Sequence, residues 1–250
     1  LAEKLPLMMH AAETSMEASL LREGRGAFAD ALRNRGIKWS TPGVSPIQYL
    51  KQHGVLATQP LLAHCIQVDD ADIETLAETQ TRVAHCPKSN SKLGHGVAPL
   101  AKFIDQRITV SLGSDSVASN NVCDLLEEAR YALLLARSGV AEKNLAANFS
   151  ASDVLQLATR GGALALGMTE QIGALQEGLQ ADFAIVSLAG AHQIPVYEPV
   201  GALVFSSNAR DVVLTAVAGR EVYRAGRVTT VDEDRLRARM KEIGEKLAAD

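Results

Sequence analysis

Aromatic side chains are scarce: one Trp, four Tyr and five Phe make up only 4% of 250 residues, leaving few groups to stack on a ligand. Cysteine is scarcer still. Cys65, Cys86 and Cys123 are odd in number, far apart and form no C-x-x-C, a usage that points to a reducing, cytoplasmic compartment. No apolar run approaches the ~20 residues of a membrane span. The chain also lacks a dense Lys/Arg run, and its 25 basic and 29 acidic residues give a formal charge of −4. That argues against a nucleic-acid or anionic-membrane footprint and leaves a small neutral or cationic ligand open. What is present in quantity is hydrophobic residue, 47%, in a chain long enough for one large or two ordinary domains with a real core.

The apolar residues come in short bursts. LPLMMHA (5–11), PLLAHCI (60–66), RVAHCP (82–87) and ITVSLGSD (108–115) each read as a buried strand. Helical stretches separate them: MEASLLREG continuing to Gly36, IQYLKQHG, the Asp-capped DDADIETLAETQ (69–80), APLAKFIDQ after a KSNSKLGHG loop, and a long helix from about Asn121 to Ser138. Strands alternating with helices predict βαβ units and a parallel sheet, an α/β fold. Ser150 with Asp153 resembles a capping box opening a helix to Gly167. Composition then shifts. IGALQEGLQADFAIVSL, GALVFSS and DVVLTAVAGREVYRAGRV read as β-rich, with turns at Gly219-Arg220 and Ala225-Gly226, and 232–248 reads as a charged, solvated terminal helix. The expected division is 1–170, 171–230 and 231–250.

His10, His64, His85 and Asp115 fall at the carboxyl ends of the four expected strands, where parallel-sheet and barrel enzymes build their sites. Imidazole and carboxylate brought together from different strands suit a zinc-like ion with one position open for water. Glu13, three residues after His10, adds a carboxylate able to face that water and pass its proton to a leaving group.

HAAET, LLAHCIQVDDADI, VAHCPKSNSKLGHGVAPL and VSLGSDSVASNNVCDLLEEAR, in this order and at these separations, resemble the metal-dependent amidohydrolase superfamily. The nearest branch is that of the chlorohydrolases and the methylthioadenosine/S-adenosylhomocysteine deaminases. IGALQEGLQADFAIVSL is similar to the family's return to its β-sandwich. The resemblance implies a (β/α)8 TIM-barrel-type fold of which this chain holds the C-terminal portion, strands 5–8, with part of a small β-sandwich. It implies that His10 is the fifth-strand metal ligand and Asp115 the eighth-strand ligand and first proton acceptor. Glu13 becomes the proton-shuttling acid/base that also contacts the substrate ring. His64 becomes the sixth-strand residue that orients the attacking water more than it binds metal. Ser89 and Asn90, with Ser119 and Asn120, would shape the substrate pocket. The implied cofactor is one divalent ion per site, zinc, with ferrous iron as the alternative.

One family feature is missing. The superfamily opens its site with an H-x-H pair on the first barrel strand, and no two of the six His here (10, 53, 64, 85, 95, 192) are two apart. Four βα units also stand where a closed barrel needs eight. The chain, beginning at Leu1 and already strand-like by Leu5, is therefore expected to need a preceding barrel half for a complete site.

The implied activity is hydrolytic deamination of an adenine nucleoside-like or related N-heteroaromatic small molecule. The insertion GIKWSTPGVSPIQYL looks most like deaminases of modified adenosines, including the aminofutalosine type, with Phe28, Trp39 and Tyr49 as its few stacking candidates. Two rivals stand beside it: release of chloride or alkylamine from a triazine-like ring, and a catalytically incomplete structural or binding fragment. Glu13 favours deamination, because ammonia needs a proton to leave and chloride does not. Self-association into a homo-oligomer stays open.

Overall fold

The computed structural model describes residues 5–138 and 149–248. The chain divides into two compact units, 1–169 and 170–250.

The first unit is built on a parallel sheet of β1 (Met8–Ala11), β2 (Leu61–His64), β3 (Arg82–His85) and β4 (Val110–Leu112), in that spatial order. The register pairs Met8 with Leu61, Leu62 with Val83, and Ala84 with Ser111. Leu62, Val83 and Val110, partners in register on one face, are buried as a helix-covered parallel sheet requires, while Ala63 and Ala84 at the alternate positions are half-buried. Between β1 and β2 lie α1 (Ser15–Glu23), α2 (Ala27–Asn34) and α3 (Pro46–Gln52). α4 (Asp70–Glu78) returns the chain to β3, and α5 (Pro87–Lys92) with α6 (Leu100–Asp105) to β4. After β4 come a single turn α7 (Val117–Asn120), α8 (Leu125–Ser138), α9 (Ala151–Ala158) and α10 (Arg160–Leu166). Ile47, Leu76, Phe103 and Leu133 complete the apolar core.

Local chemistry sets the helix starts. Thr14 Oγ1 accepts the Glu17 amide at 3.1 Å, and reciprocal capping boxes form at Asp69/Asp72 and at Ser150/Asp153. Several expected boundaries move. The first strand begins at Met8 rather than Leu5, and the loop after the third strand contains the short helix α5, started by Pro87. The long helix starts at Leu125, because Asn121 at φ 74° ends the preceding turn. The helix expected to run unbroken from Ser150 to Gly167 is interrupted at Thr159 (φ −117°, ψ −88°).

The second unit holds one antiparallel sheet in the order β5 (Phe183–Val186), β6 (Val212–Val217), β7 (Arg220–Arg224), β8 (Arg227–Val228). The β6–β7 turn is Ala218-Gly219, one residue earlier than expected, and the β7–β8 turn is Ala225-Gly226. All four residues have positive φ, as two-residue hairpins of this hand need. GALVFSS is helical, not β: Pro199 opens α11 (Pro199–Phe205), and the Glu198 side chain accepts the Val200 and Gly201 amides. The first part of IGALQEGLQADFAIVSL forms no strand; pairing begins only at Phe183. The terminal helix α12 (Glu233–Leu247) is capped by Asp232. Among the described residues no helix is long and apolar enough to cross a membrane.

Candidate active site

The carboxyl ends of the four parallel strands carry the chemistry. His10 lies in β1, His64 ends β2, His85 ends β3, and Asp115 follows β4 by three residues. The backbone is bent sharply there: His64 (φ 74°), Cys65 (φ 47°), Ala12 (φ 51°) and Asp115 (φ 56°) all occupy the left-handed region. Non-glycine residues persist in that region only where the surroundings over-determine them, and such positions cluster at functional sites.

One ligand atom each from His10, His64 and Asp115 lies within 4.8 Å of the other two. His10 Nε2 is 3.7 Å from Asp115 Oδ1, and its ring stacks on that of His64 with centroids 5.2 Å apart. His64 is fully buried. Its Nδ1 donates to Asn90 Oδ1 at 2.7 Å, which fixes the tautomer and leaves the Nε2 lone pair aimed into the site with no hydrogen-bond partner. An orphaned acceptor beside a carboxylate and a second imidazole fits a divalent cation. His85, equally buried, stays outside this cluster. Burial, with His64 nearby, pushes its pKa down to about 4, so it remains neutral.

Asp115 is held by its neighbours. Burial pushes its pKa up, but the Ser89 hydroxyl (2.6 Å) and the Ser116 amide (2.7 Å), helped by His64 and the Ser119 hydroxyl, bring it net below the usual carboxylate value. Glu13 Oε1 lies 3.8 Å from His64 Nε2. Its backbone is fixed by Glu17, whose carboxylate accepts the amides of Ala12 (3.0 Å) and Glu13 (2.9 Å).

Ser89 and Asn90, expected in the pocket lining, are buried, with the Ser89 hydroxyl on Asp115 and the Asn90 amide oxygen on His64. Ser119 is half-buried beside Asp115. Asn120 turns inward, donating to the Ser114 carbonyl and to Glu128 Oε1, both at 2.5 Å. Glu128, fully buried on α8, also accepts the Lys88 amide at 3.1 Å and so ties the start of α5 to the Asp115 loop. Burial pushes its pKa up despite those donors. Of the aromatic candidates, Trp39 donates to the Leu20 carbonyl (3.3 Å) and Tyr49 packs on His53, while Phe28 stays exposed.

Glu128, Glu17 and His95 escape the sequence reading. Glu17 looks like any first-turn acid. His95 reaches Glu13 with Nδ1 3.1 Å from Oε1; its signal, G-H-G five residues after Asn90, is legible only once the loop is folded.

Comparison with known proteins agrees with the geometry. Residues 2–222 match the model of the Amidohydrolase family. The chain is 34% identical over 92% of its length to a 5-methylthioadenosine/S-adenosylhomocysteine deaminase of Pelotomaculum thermopropionicum, covering 48% of that protein. It is 35% identical over 81% of its length to the enzyme of that name from Pyrococcus horikoshii, covering 47%. The chain thus spans about half the length of the curated relatives it matches. Among solved structures, an adenosine deaminase from Xanthomonas campestris with bound zinc superposes with a TM-score of 0.83 at 27% identity, over 98% of this chain and 52% of that one. An atrazine chlorohydrolase from Arthrobacter aurescens complexed with zinc gives 0.77 at 26% identity, over 96% and 49%. With the strand-end His, His, Asp and Glu in one cluster and the family match running through all four of them, the chain belongs to the amidohydrolase family.

Proposed function

We propose that this chain supplies the C-terminal portion, strands 5–8, of a (β/α)8 barrel, with residues 171–230 forming part of a small β-sandwich, and that the protein carrying it is a hydrolytic deaminase. Its substrate is an adenine nucleoside-like or related N-heteroaromatic small molecule, and its product besides the hydroxylated ring is ammonia. The relatives' names support the substrate class.

The observation that carries the reading is the Glu13 carboxylate beside the His10–His64–Asp115 cluster. Asp115 and His10 would hold a divalent ion, zinc or alternatively ferrous iron, which would supply the Lewis acidity that lets water lose a proton near neutral pH, and His64 Nε2 is left for that water. Asp115, kept ionised by Ser89 and the Ser116 amide, accepts that proton. His64, its Nδ1 committed to Asn90, directs Nε2 toward the attacking water. Glu13 relays that proton to a ring nitrogen, then takes the proton of the newly added hydroxyl and gives it to the departing amine, so the C–N bond breaks with neutral ammonia as leaving group and a ring carbonyl forms. Nucleobase deaminases of another fold divide the work in the same way, with a glutamate that is not a ligand.

Chloride or alkylamine release from a triazine is the second reading, supported by the likeness to atrazine chlorohydrolase; chloride, unlike ammonia or an alkylamine, leaves without a proton and gives Glu13 less to do. The discriminating experiment uses the full-length protein carrying this chain, loaded with zinc and offered adenosine, methylthioadenosine, S-adenosylhomocysteine and atrazine. Ammonia from an adenine nucleoside is the expected result. Chloride or alkylamine without ammonia overturns the deaminase reading, and no release from any substrate favours the incomplete fragment.

A further inference from the structure

His95 is not used by the chemistry above, yet the loop around it is built to deliver it. Gly94 (φ 69°) and Gly96 (φ 111°) flank it in backbone conformations that L side chains rarely adopt, and a Cβ on Gly96 would come within 3.3 Å of Ile66 Cγ2. The His95 amide donates to the Asn90 carbonyl at 3.0 Å, and its own carbonyl accepts Gln67 Nε2 at 3.0 Å. The His95 main chain is thus fixed by the Asn90 carbonyl and the Gln67 side chain, on the two segments that hold His64. The imidazole lies four-fifths buried, with Nδ1 3.1 Å from Glu13 Oε1. The ring is turned so that the contact misses hydrogen-bond alignment, and buried Nδ1 has no other partner. A buried imidazole nitrogen left unpaired is costly, and the carboxylate is the polar group within reach; a small ring rotation closes the bond.

We infer that His95 is the positioning residue for Glu13: an Nδ1–H donated to Oε1 holds the carboxyl group in one orientation and leaves Oε2 to serve the substrate. Glu13 sits at the end of a flexible side chain between two imidazoles, His64 Nε2 at 3.8 Å and His95 Nδ1 at 3.1 Å. A proton donor that must reach first a ring nitrogen and then the departing amine works only if its position is set, because misplacement by about an ångström costs on the order of a hundredfold in rate. The inference rests on the deaminase reading only for its kinetic consequence.

The test is a double-mutant cycle in the full-length protein with zinc bound, using the best ammonia-releasing nucleoside. His95→Ala is expected to lower kcat about ten- to a hundredfold with KM within threefold and metal content unchanged, and His95→Asn, which returns an N–H near the Nδ1 position, to recover most of the loss. In a Glu13→Gln background the same His95→Ala change is expected to matter less than twofold, because its effect runs through Glu13. Equal losses in both backgrounds, or no recovery with Asn, overturn the inference. If no nucleoside is deaminated, the substrate reading fails by itself, and the pair is read by 15N NMR of the imidazole. Glu13→Gln should shift the His95 Nδ1 resonance, and an unshifted signal overturns the inference whatever the reaction.

Discussion

Replacing Glu128 with Gln tests whether the buried clamp behind the site holds α5, and through it Ser89 and Asn90, in place. The carboxylate accepts two donors from different segments, Asn120 Nδ2 at 2.5 Å and the Lys88 amide at 3.1 Å, and is fully buried. Gln keeps the shape but has one acceptor oxygen, so one donor faces an NH2 group and goes unpaired. Leaving a buried donor unsatisfied costs about 1–3 kcal/mol. For a barrel domain of about 250 residues, each kcal/mol moves the midpoint by roughly 2–4 °C, so the expected fall is roughly 2–12 °C. The pH dependence has a definite sign. Burial raises the Glu128 pKa, so the folded protein binds this proton more tightly than the unfolded chain does. The associated stability is complete below the ordinary glutamate value and is lost as pH rises through the raised one. Gln carries no such proton, so the gap between wild type and variant narrows across that window. Differential scanning calorimetry across a pH series reads both effects. A midpoint lowered by less than about 2 °C at every pH, or a gap that widens as pH rises, refutes the reasoning.

Removing the acceptor of His64 with Asn90→Ala frees the ring to turn and change tautomer, and divalent-metal affinity in a competition titration is expected to drop about 10–100-fold. Ser89→Ala takes one stabilising donor from Asp115, so its lowered pKa moves back up and the acidic limb of the kcat/KM–pH profile shifts to higher pH. The stability tied to ionised Asp115, present above the ordinary aspartate value and lost as pH falls through the depressed one, shrinks with it. A thiol reagent on the native protein should modify Cys123, which is exposed, and spare Cys65 and Cys86. Burial pushes both of those thiols up, Cys86 to about 12; three equivalents reacting without unfolding would contradict this placement.

The parallel sheet was legible because its strands are short apolar runs with a polar residue at each carboxyl end, and His10, His64 and Asp115 could be named before any geometry. Their convergence follows from the parallel register, which brings all four carboxyl ends to one edge. What stayed hidden depends on long-range contact. The sequence marks Ser89 and Asn90 as pocket residues but not as the holders of Asp115 and His64, which lie 26 positions away in each case. Glu128 sits inside an ordinary helical E-E pair, and only packing decides that it, rather than Glu127, faces inward on Asn120. His95 needs two left-handed glycines to bring it back to Glu13. In the second unit, GALVFSS has β-rich composition, but Pro199 and the Glu198 cap outweigh propensity.

The central claim, that Glu13 carries protons for deamination beside a metal-holding cluster, is tested most directly by ammonia release from full-length wild type and Glu13→Gln at matched zinc content. A general acid/base contributes typically 10²–10⁴-fold, so the variant should retain metal and lose ammonia release by about that factor. Release within a few-fold of wild type would contradict the assignment.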